Sequence, residues 1–382
     1  MTPIFDPADA LGTEWREGRW LGRIDRGDGP SPVLVVGGIV HDMSRVAPTV
    51  AELVADGLLD HTAGEPIGDL AKLGLSPDGT PRLLSPIDFQ CVKAAGVTFA
   101  VSALERVIEE LARGDPGAAT AVRERLETRV GGGLAAVVPG TEEAAALKVA
   151  LIEEGLWSQY LEVAIGPDAE VFTKAASLST VGWGSAVGVR SDSTWNNPEP
   201  EVVLLVDPTG RTVGATLGND VNLRDFEGRS ALLLGKAKDN NASCSLGAFV
   251  RLFDDSFTMD DVRSASVALR IEGEDGYVLD GASAMDQISR DPEELVRQTM
   301  SEHQYPDGFV LFLGTLFAPT KDRDEPGRGF THKVGDTVSI ASPRLGRLLN
   351  PVTTSKAAPE WTFGVTALVR NLAARGLLSK RT

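Results

Sequence analysis

The chain has 382 residues, of which 42% are hydrophobic and 24% charged, and its formal net charge is −17. This length suits one large or two medium domains. The acidic excess argues against nucleic acid or an anionic membrane surface as a partner, because both need basic patches. No apolar stretch is long enough to span a membrane, and no signal peptide is visible. Two cysteines without a CxxC pattern fit a reducing compartment. We therefore expect a cytoplasmic protein.

The predicted elements divide the chain into two parts. Residues 1–85 are expected to form a small N-terminal α/β domain, with a strand at 33–36 and a helix at 49–59. Residues 86–382 are expected to form the catalytic domain. It includes a helical segment at about 98–161, with a helix over 89–134 broken at Gly96 and at 115–117, and a second helix over 142–161. These helices are interpreted as a scaffold or insert rather than as part of the chemistry.

From residue 171 the pattern changes to short, branched-rich runs separated by turn residues. This pattern predicts a β-rich core, and one helix at 291–302 with an acidic first turn interrupts it. The fold class is therefore α+β. The predicted strands cover 181–189, 202–206, 211–217, 266–271, 309–313 and 337–341.

Residues 202–206 and 211–217 are predicted to be paired strands, because the residues between them have the composition of a tight turn. If Val206 pairs with Arg211, Glu201 falls opposite Thr216. The acidic start of the first strand then lies beside the acidic end of the second.

Three carboxylates are expected to converge at this end of the hairpin: Glu199, Glu201 and Asp220. Alternate residues of a strand face the same way, so both glutamates point to one side. No cation in the segment is obviously placed to neutralise all three acids, and unpaired carboxylates at this spacing repel or shift their pKa values. A hard divalent cation removes the conflict, and an all-oxygen set suits Mg²⁺, Mn²⁺ or Ca²⁺ better than zinc. An exposed acidic strand start is the alternative, and the pattern favours neither.

Lys238 lies between an apolar run at 232–234 and a polar loop at 239–241. A partly buried ammonium there can stabilise an enolate, or act as a base if its pKa is lowered. Taken alone, the segment favours a surface lysine paired with Asp239. No histidine pair, phosphate loop or Gly-x-Ser-x-Gly motif is present.

The order of these motifs resembles the fumarylacetoacetate hydrolase superfamily. The resemblance implies a mixed β-roll fold, a Mg²⁺ or Mn²⁺ held by Glu199, Glu201 and Asp220, a 2-oxo-acid or diketone substrate, and a homodimer or homotetramer. The matching residues, in chain order, are Glu199, Glu201, Asn219-Asp220, Arg224-Asp225, Lys238, Leu313-Gly314-Thr315, Gly335-Asp336-Thr337-Val338 and Leu345-Gly346-Arg347-Leu348-Leu349-Asn350.

Two departures from the hydrolases of the family indicate a different reaction. Ser102 stands at the position of their water-activating histidine, and serine is not a general base at neutral pH. Glu170 opens a Glu-Val-Phe-Thr-Lys run that resembles the sugar-acid dehydratase branch. The resemblance implies loss of water from a 2-keto-3-deoxy pentonate, 2-keto-3-deoxy-D-xylonate above all, to give 2,5-dioxopentanoate. A C–C bond hydrolase or decarboxylase acting on a diketo acid is the alternative, and a catalytically silent relative is a third.

The resemblance also assigns roles to individual residues. Glu170 and Lys238 are expected to be catalytic, with Glu170 exchanging protons with the substrate. The expected substrate-binding residues are Phe99, Ser102, Lys174 and Thr315.

Two of these interpretations have a plainer alternative. Glu170 can instead form a salt bridge with Lys174 across a helical turn or a loop. Arg106 lies one helical turn after Ser102 and can face the same pocket, but a surface salt bridge is favoured for it.

Overall fold

The computed structural model describes residues 5–127, 137–153, 155, 157–317, 319–326 and 328–378. The strands of this part of the chain are β1 (Arg19–Asp25), β2 (Pro30–Val36), β3 (Ile39–Asp42), β4 (Glu65–Asp69), β5 (Arg82–Leu83), β6 (Cys91–Gly96), β7 (Glu170–Ala175), β8 (Val187–Val189), β9 (Asn196–Asn197), β10 (Pro200–Val206), β11 (Thr212–Asp220), β12 (Asn222–Leu223), β13 (Cys244–Leu246), β14 (Val250–Leu252), β15 (Ser266–Glu272), β16 (Val278–Ala284), β17 (Phe309–Phe312), β18 (Thr337–Ser342) and β19 (Gly346–Thr354).

The α-helices of the described residues are α1 (Pro7–Ala10), α2 (Val50–Ala55), α3 (Ala100–Leu111), α4 (Pro116–Glu127), α5 (Glu142–Glu153), α6 (Gln159–Ile165), α7 (Arg224–Glu227), α8 (Leu234–Lys238), α9 (Met259–Arg263), α10 (Pro292–Met300) and α11 (Val365–Ala374). No helix in these ranges is both long and apolar enough to cross a membrane.

Two mixed sheets form the framework of the molecule. The larger has twelve strands in the order β4-β3-β2-β1-β14-β11-β10-β17-β6-β7, with β13 beside β11 and β5 beside β1. The smaller has the order β16-β15-β18-β19-β8. Neighbouring strands are antiparallel except for two parallel pairs, β17 with β6 and β19 with β8. The predicted α+β class with a mixed sheet is confirmed.

The N-terminal strands belong to the larger sheet. β1 pairs with β14 through Trp20 opposite Arg251 and Leu21 opposite Val250, so β1–β4 continue the sheet that holds β10 and β11. The division of the chain at residue 85 stays a prediction.

β10 is a central strand with both faces covered. Val203 and Leu205 pack into one apolar cluster, and the alternate residues Val202, Leu204 and Val206 pack into another. Burial on both faces explains why this strand is a continuous apolar run rather than an alternating one.

The helical predictions are right in part. Residues 91–96 form strand β6, so the helix expected from 89 was wrong there. This segment pairs with β17 on one side and β7 on the other, and this pairing outweighs its local helical periodicity. The expected continuation to 134 lies partly outside the described residues. The helix expected over 142–161 is interrupted: α5 ends at Glu153, and α6 starts after Ser158, whose hydroxyl accepts from the Tyr160 N–H at 3.2 Å.

Of the other predicted elements, one helix is confirmed and one strand is shorter than predicted. The helix at 291–302 is confirmed as α10, capped by the side chain of Asp291. The strand predicted at 181–189 is limited to β8. The remaining predicted strands are present, with bounds that differ by a few residues.

The β10–β11 hairpin is present, but its predicted register was wrong, by one residue at Val206 and by two residues from Leu205 to Glu201. Glu201 lies opposite Gly218 rather than Thr216, and Val206 lies opposite Thr212, with an irregularity between Leu205 and Val206. A two-residue offset keeps the paired side chains from Glu201 to Leu205 on their predicted faces, because the period of a strand is two.

The chain directions in the larger sheet bring five strand ends to one edge. β10 and β7 begin there, whereas β11, β17 and β6 end there. Side chains that are far apart in sequence therefore meet at this edge.

Candidate active site

Three buried carboxylates meet at this edge: Glu199, Glu201 and Asp220. One oxygen atom from each lies within 4.8 Å of the others. The three residues are 3%, 2% and 1% exposed, in that order. The Asp220 N–H donates to the Glu199 carbonyl at 3.0 Å, which ties the two strand ends together. The predicted convergence of the acids is confirmed, and the alternative of an exposed acidic strand start is wrong.

Glu201 is the least compensated acid of the trio. Its Oε2 accepts a hydrogen bond from the Gly314 N–H at 2.7 Å, and the described residues offer it no ion pair. Burial, together with the negative charges of Asp220 and Glu199, raises the pKa of Glu201 well above its ordinary value. Gly314 has a φ of +99°, a conformation that favours glycine.

Two lysines engage the other acids. The Lys238 Nζ lies 2.5 Å from Oε2 of Glu199 and 3.0 Å from Oδ2 of Asp220. The Lys174 Nζ lies 2.9 Å from Oδ1 of Asp220 and donates to the backbone carbonyl of Lys238. Lys238 is 3% exposed, so the prediction of a surface lysine paired with Asp239 is wrong.

The pKa of Lys238 favours one of its two expected roles over the other. Burial lowers the pKa of Lys238, but the carboxylates of Asp220 and Glu199 outweigh burial and raise it above the ordinary value. This direction favours the ammonium form, which is better suited to stabilising negative charge than to acting as a base.

Arg106 is a third cation at the site. Its guanidinium forms ion pairs with Glu199, with Glu109 at 2.7 Å and with Glu227. Arg106 is only 8% exposed, so the surface salt bridge that the sequence favoured is wrong. It joins the carboxylate trio to helices α3 and α7.

The donor set fits a hard divalent cation. All three candidate ligands are carboxylates, they converge and they are buried, and Mg²⁺ and Mn²⁺ prefer oxygen ligands of this kind. The cationic side chains of the site form ion pairs with Glu199 and Asp220. None of those in the described residues forms an ion pair with Glu201. A bound cation would relieve the repulsion that raises the pKa of Glu201.

Glu170 is the first residue of β7, opposite Gly96 at the end of β6. A Cβ atom on Gly96 would lie 2.8 Å from Cδ of Glu170, so glycine makes room for the carboxyl group. Burial and the charge of Glu227 raise the pKa of Glu170 to about 7, although Arg106 and Lys238 lower it.

The alternative interpretation of Glu170 fails on geometry. Residues 170–175 form a strand rather than a helical turn or a loop, and Lys174 is bound to Asp220 instead. The predicted salt bridge between Glu170 and Lys174 is therefore not formed.

One cavity brings most of the predicted site residues together. Ser102 and Thr315 line it, but the Ser102 hydroxyl donates to the Phe99 carbonyl at 2.8 Å. Phe99 and Lys174 are buried beside the site and do not form its wall. The lining residues are Ala95, Gly96, Val97, Ser102, Arg106, Tyr160, Glu170, Phe172, Glu199, Glu201, Asp220, Glu227, Lys238 and Thr315.

The sequence missed two polar residues of this wall, Tyr160 and Glu227. The Tyr160 hydroxyl donates to the backbone carbonyl of Glu227 at 3.3 Å. Glu227 lies three residues after the Arg224 that the motif comparison had identified, but nothing local to α7 shows which way its side chain faces. Because α3 and α6 supply Ser102, Arg106 and Tyr160 to the cavity, the interpretation of these helices as a mere scaffold is wrong.

Comparison with known proteins points to one family. Residues 164–353 match the model of the fumarylacetoacetate hydrolase C-terminal domain. A probable 2-keto-3-deoxyxylonate dehydratase of Haloferax volcanii is 34% identical over 202 residues, which are 53% of this chain and 66% of the relative. A 2-dehydro-3-deoxy-D-arabinonate dehydratase of Saccharolobus solfataricus is 31% identical over 186 residues, 48% of this chain and 58% of the relative. The alignments thus span less than two thirds of either relative.

A solved structure extends the similarity of fold beyond these aligned regions. It is a 2-keto-3-deoxy-D-arabinonate dehydratase complexed with magnesium and 2,5-dioxopentanoate, 21% identical, with a TM-score of 0.60. The match covers 88% of this chain and 99% of that one. The fold predicted from the motifs is confirmed.

Proposed function

We propose that this chain, which belongs to the fumarylacetoacetate hydrolase superfamily, is a metal-dependent hydro-lyase that removes water from a 2-keto-3-deoxy pentonate. The product is 2,5-dioxopentanoate, and 2-keto-3-deoxy-D-xylonate is the first substrate to test. Two dehydratases among its relatives support this class of reaction. The observation that carries the proposal is that Glu170, a carboxyl group with a pKa of about 7, shares one cavity with the buried carboxylate trio.

Glu199, Glu201 and Asp220 would hold Mg²⁺ or Mn²⁺. When bound, this ion supplies a Lewis acid that polarises the C2 carbonyl of a 2-oxo acid and so acidifies the C3–H bonds. The ammonium of Lys238 lines the same cavity and would stabilise the negative charge that develops on the substrate when the C3 proton leaves.

Glu170 is the proton-exchanging group of the proposed reaction. Its carboxylate removes a proton from C3, and the carboxylic acid so formed donates a proton to the C4 hydroxyl, which leaves as water. A pKa of about 7 suits both steps, because the two forms are then close in free energy near neutral pH. The resulting 5-hydroxy-2-oxopent-3-enoate is an isomer of 2,5-dioxopentanoate, and further proton transfers convert one into the other.

Thr315 has the binding role in this proposal, and Ser102 lies beside it in the cavity wall. Both line the cavity, and Thr315 would bind the substrate carboxylate. The Thr315 hydroxyl donates to the Phe317 carbonyl at 3.0 Å, which leaves its lone pairs and its backbone N–H to orient a ligand. Phe99 and Lys174 would support the site from behind its wall rather than contact the substrate.

The cavity does not favour a C–C bond hydrolase. The hydrolases that the sequence resembles use a histidine to activate water, and none of the described residues that line the cavity is a histidine. Ser102, at the position where the hydrolases have histidine, is committed to the N-terminal turn of α3.

The direct test is to incubate the purified, Mg²⁺-loaded protein with each C5 isomer of 2-keto-3-deoxy pentonate. The aldehyde product is followed with an NAD⁺-dependent aldehyde dehydrogenase, and a diketo acid such as acetylpyruvate serves as the hydrolase substrate. We expect 2,5-dioxopentanoate from at least one isomer and no cleavage of acetylpyruvate. Inactivity on every isomer would refute the proposal. Gel filtration of the same sample tests the expected homodimer or homotetramer.

A further inference from the structure

A second acid outside the metal trio lines the cavity, and the proposed mechanism does not use it. Glu227 lies at the end of α7 and is 5% exposed. Its carboxylate forms an ion pair with Arg106, and its backbone carbonyl accepts from the Tyr160 hydroxyl at 3.3 Å. Side chain and backbone of Glu227 are therefore both held in place.

Four charged side chains, three of them from helices, act on Glu170. Glu227 comes from α7, Arg106 from α3 and Lys238 from α8, while Glu199 directly precedes β10. The two cations favour the carboxylate form of Glu170, and the two acids oppose it. Of the two acids, Glu227 exerts the larger effect. The Tyr160 hydroxyl, which α6 contributes to the same wall, is uncharged because burial and Glu227 raise its pKa.

We propose that Glu227 is a positioning residue for the reaction: Arg106 and the Tyr160 hydroxyl fix it on the cavity wall, and its negative charge acts on Glu170 across the shared cavity. The inference rests on the proposed function, in which Glu170 exchanges protons with the substrate. Burial and the charge of Glu227 together hold Glu170 near the midpoint of its titration at neutral pH, so that Glu170 can first accept and then donate a proton.

Glu109 provides a matched control, because it too is buried and paired with Arg106, at 2.7 Å. It does not line the cavity, and it is not among the main charges that act on Glu170. Substitution of Glu109 therefore removes a partner of Arg106 without removing the charge that faces Glu170. A role exerted through Arg106 alone would affect both variants in the same way.

The test compares the pH dependence of kcat/KM in the wild type and in Glu227→Gln, with Glu227→Met as a second charge-free variant should the first fail to fold. The low-pH limb of the wild type should lie near pH 7. In the charge-free variants it should move to lower pH by about one unit, because a like charge is removed. Glu227→Asp keeps the charge and should keep the limb closer to the wild-type position, and Glu109→Gln should leave it in place.

An infrared titration of the Mg²⁺-loaded protein without substrate gives an independent readout. The carboxyl stretch of Glu170, isolated by subtraction of the Glu170→Gln spectrum, should show the same displacement in Glu227→Gln. The inference would be overturned if neither the low-pH limb of kcat/KM nor the infrared titration of Glu170 moved in the charge-free variants. It would also be overturned if Glu109→Gln shifted both by the same amount as Glu227→Gln. If no pentonate is turned over, the proposed function fails, while the infrared titration still decides whether Glu227 acts on Glu170.

Discussion

Gly96→Ala tests whether the position of the Glu170 carboxyl group decides activity. An added Cβ atom would lie 2.8 Å from Cδ of Glu170 and closer still to Oε2, whereas ordinary contact begins at 3.4 Å. The carboxyl carbon must therefore retreat by about 0.6 Å and the oxygen by more. A displacement of about 1 Å in a catalytic group can reduce the rate by roughly 10²-fold. We expect a loss of that order in kcat.

Stability should be almost unaffected by the same substitution. Gly96 does not have a positive φ, so alanine fits its backbone, and the atoms that the Cβ meets belong to a flexible side chain. The change in the free energy of unfolding should stay below about 1 kcal/mol, because alanine loses less conformational freedom than glycine on folding. Gly235→Ala is the control, since a Cβ there meets nothing within 4 Å.

The assay pairs steady-state kinetics on the accepted pentonate with urea unfolding of both variants. Loss of kcat without loss of stability in Gly96→Ala, with both unchanged in Gly235→Ala, is the expected pattern. Retention of more than half of the wild-type kcat in Gly96→Ala would refute the reasoning that places Glu170 at the reacting carbons.

Three further outcomes are expected. Glu199→Gln should abolish turnover and weaken Mg²⁺ binding in calorimetry together, and full activity in that variant would refute the metal assignment. In the wild type, kcat/KM should rise with pH through about 7, because the proton-accepting form of Glu170 is the carboxylate; a flat profile between about pH 6 and 8 contradicts this. Gly314→Ala should lower the free energy of unfolding in urea by about 1–3 kcal/mol, since alanine is strained at a φ of +99° and its Cβ would clash with Thr98; an unchanged midpoint would contradict it.

The carboxylate trio could be predicted from the sequence because its geometry is nearly local. Glu201 and Asp220 belong to one hairpin. Side chains alternate along each strand with a period of two, so a pairing that is offset by two residues leaves both carboxylates on the same face. The exact pairing could not be predicted, because the irregularity between Leu205 and Val206 has no sequence signal. The burial of the trio likewise depends on elements that lie outside the hairpin.

The rest of the site depends on long-range contacts. Arg106 meets Glu199 across 93 positions of the chain, and Lys238 meets Glu199 across 39. Helical spacing placed Arg106 one turn from Ser102 but could not show which partners would surround it. For the same reason the alternative salt bridge between Glu170 and Lys174 assumed a helical turn or a loop: the strand that carries both residues forms only beside β6, far away in sequence.

These long-range contacts form an unbroken series of ion pairs from the strand that carries Lys174 to helix α4. Each member contacts the next, and cations alternate with acids in the order Lys174, Asp220, Lys238, Glu199, Arg106, Glu109, Arg224, Glu105 and Arg123.

Breaking such a series inside the protein is costly, because removal of one partner of a buried pair leaves an uncompensated charge and typically destabilises by about 3–5 kcal/mol. Arg106 occupies the middle of the series, between a candidate metal ligand and the acids of α3. The helical segment is thus bound to the carboxylate trio by charge as well as by packing. It follows that α3 cannot be treated as a replaceable insert: it holds Glu199 from one side, while Lys238 holds it from the other.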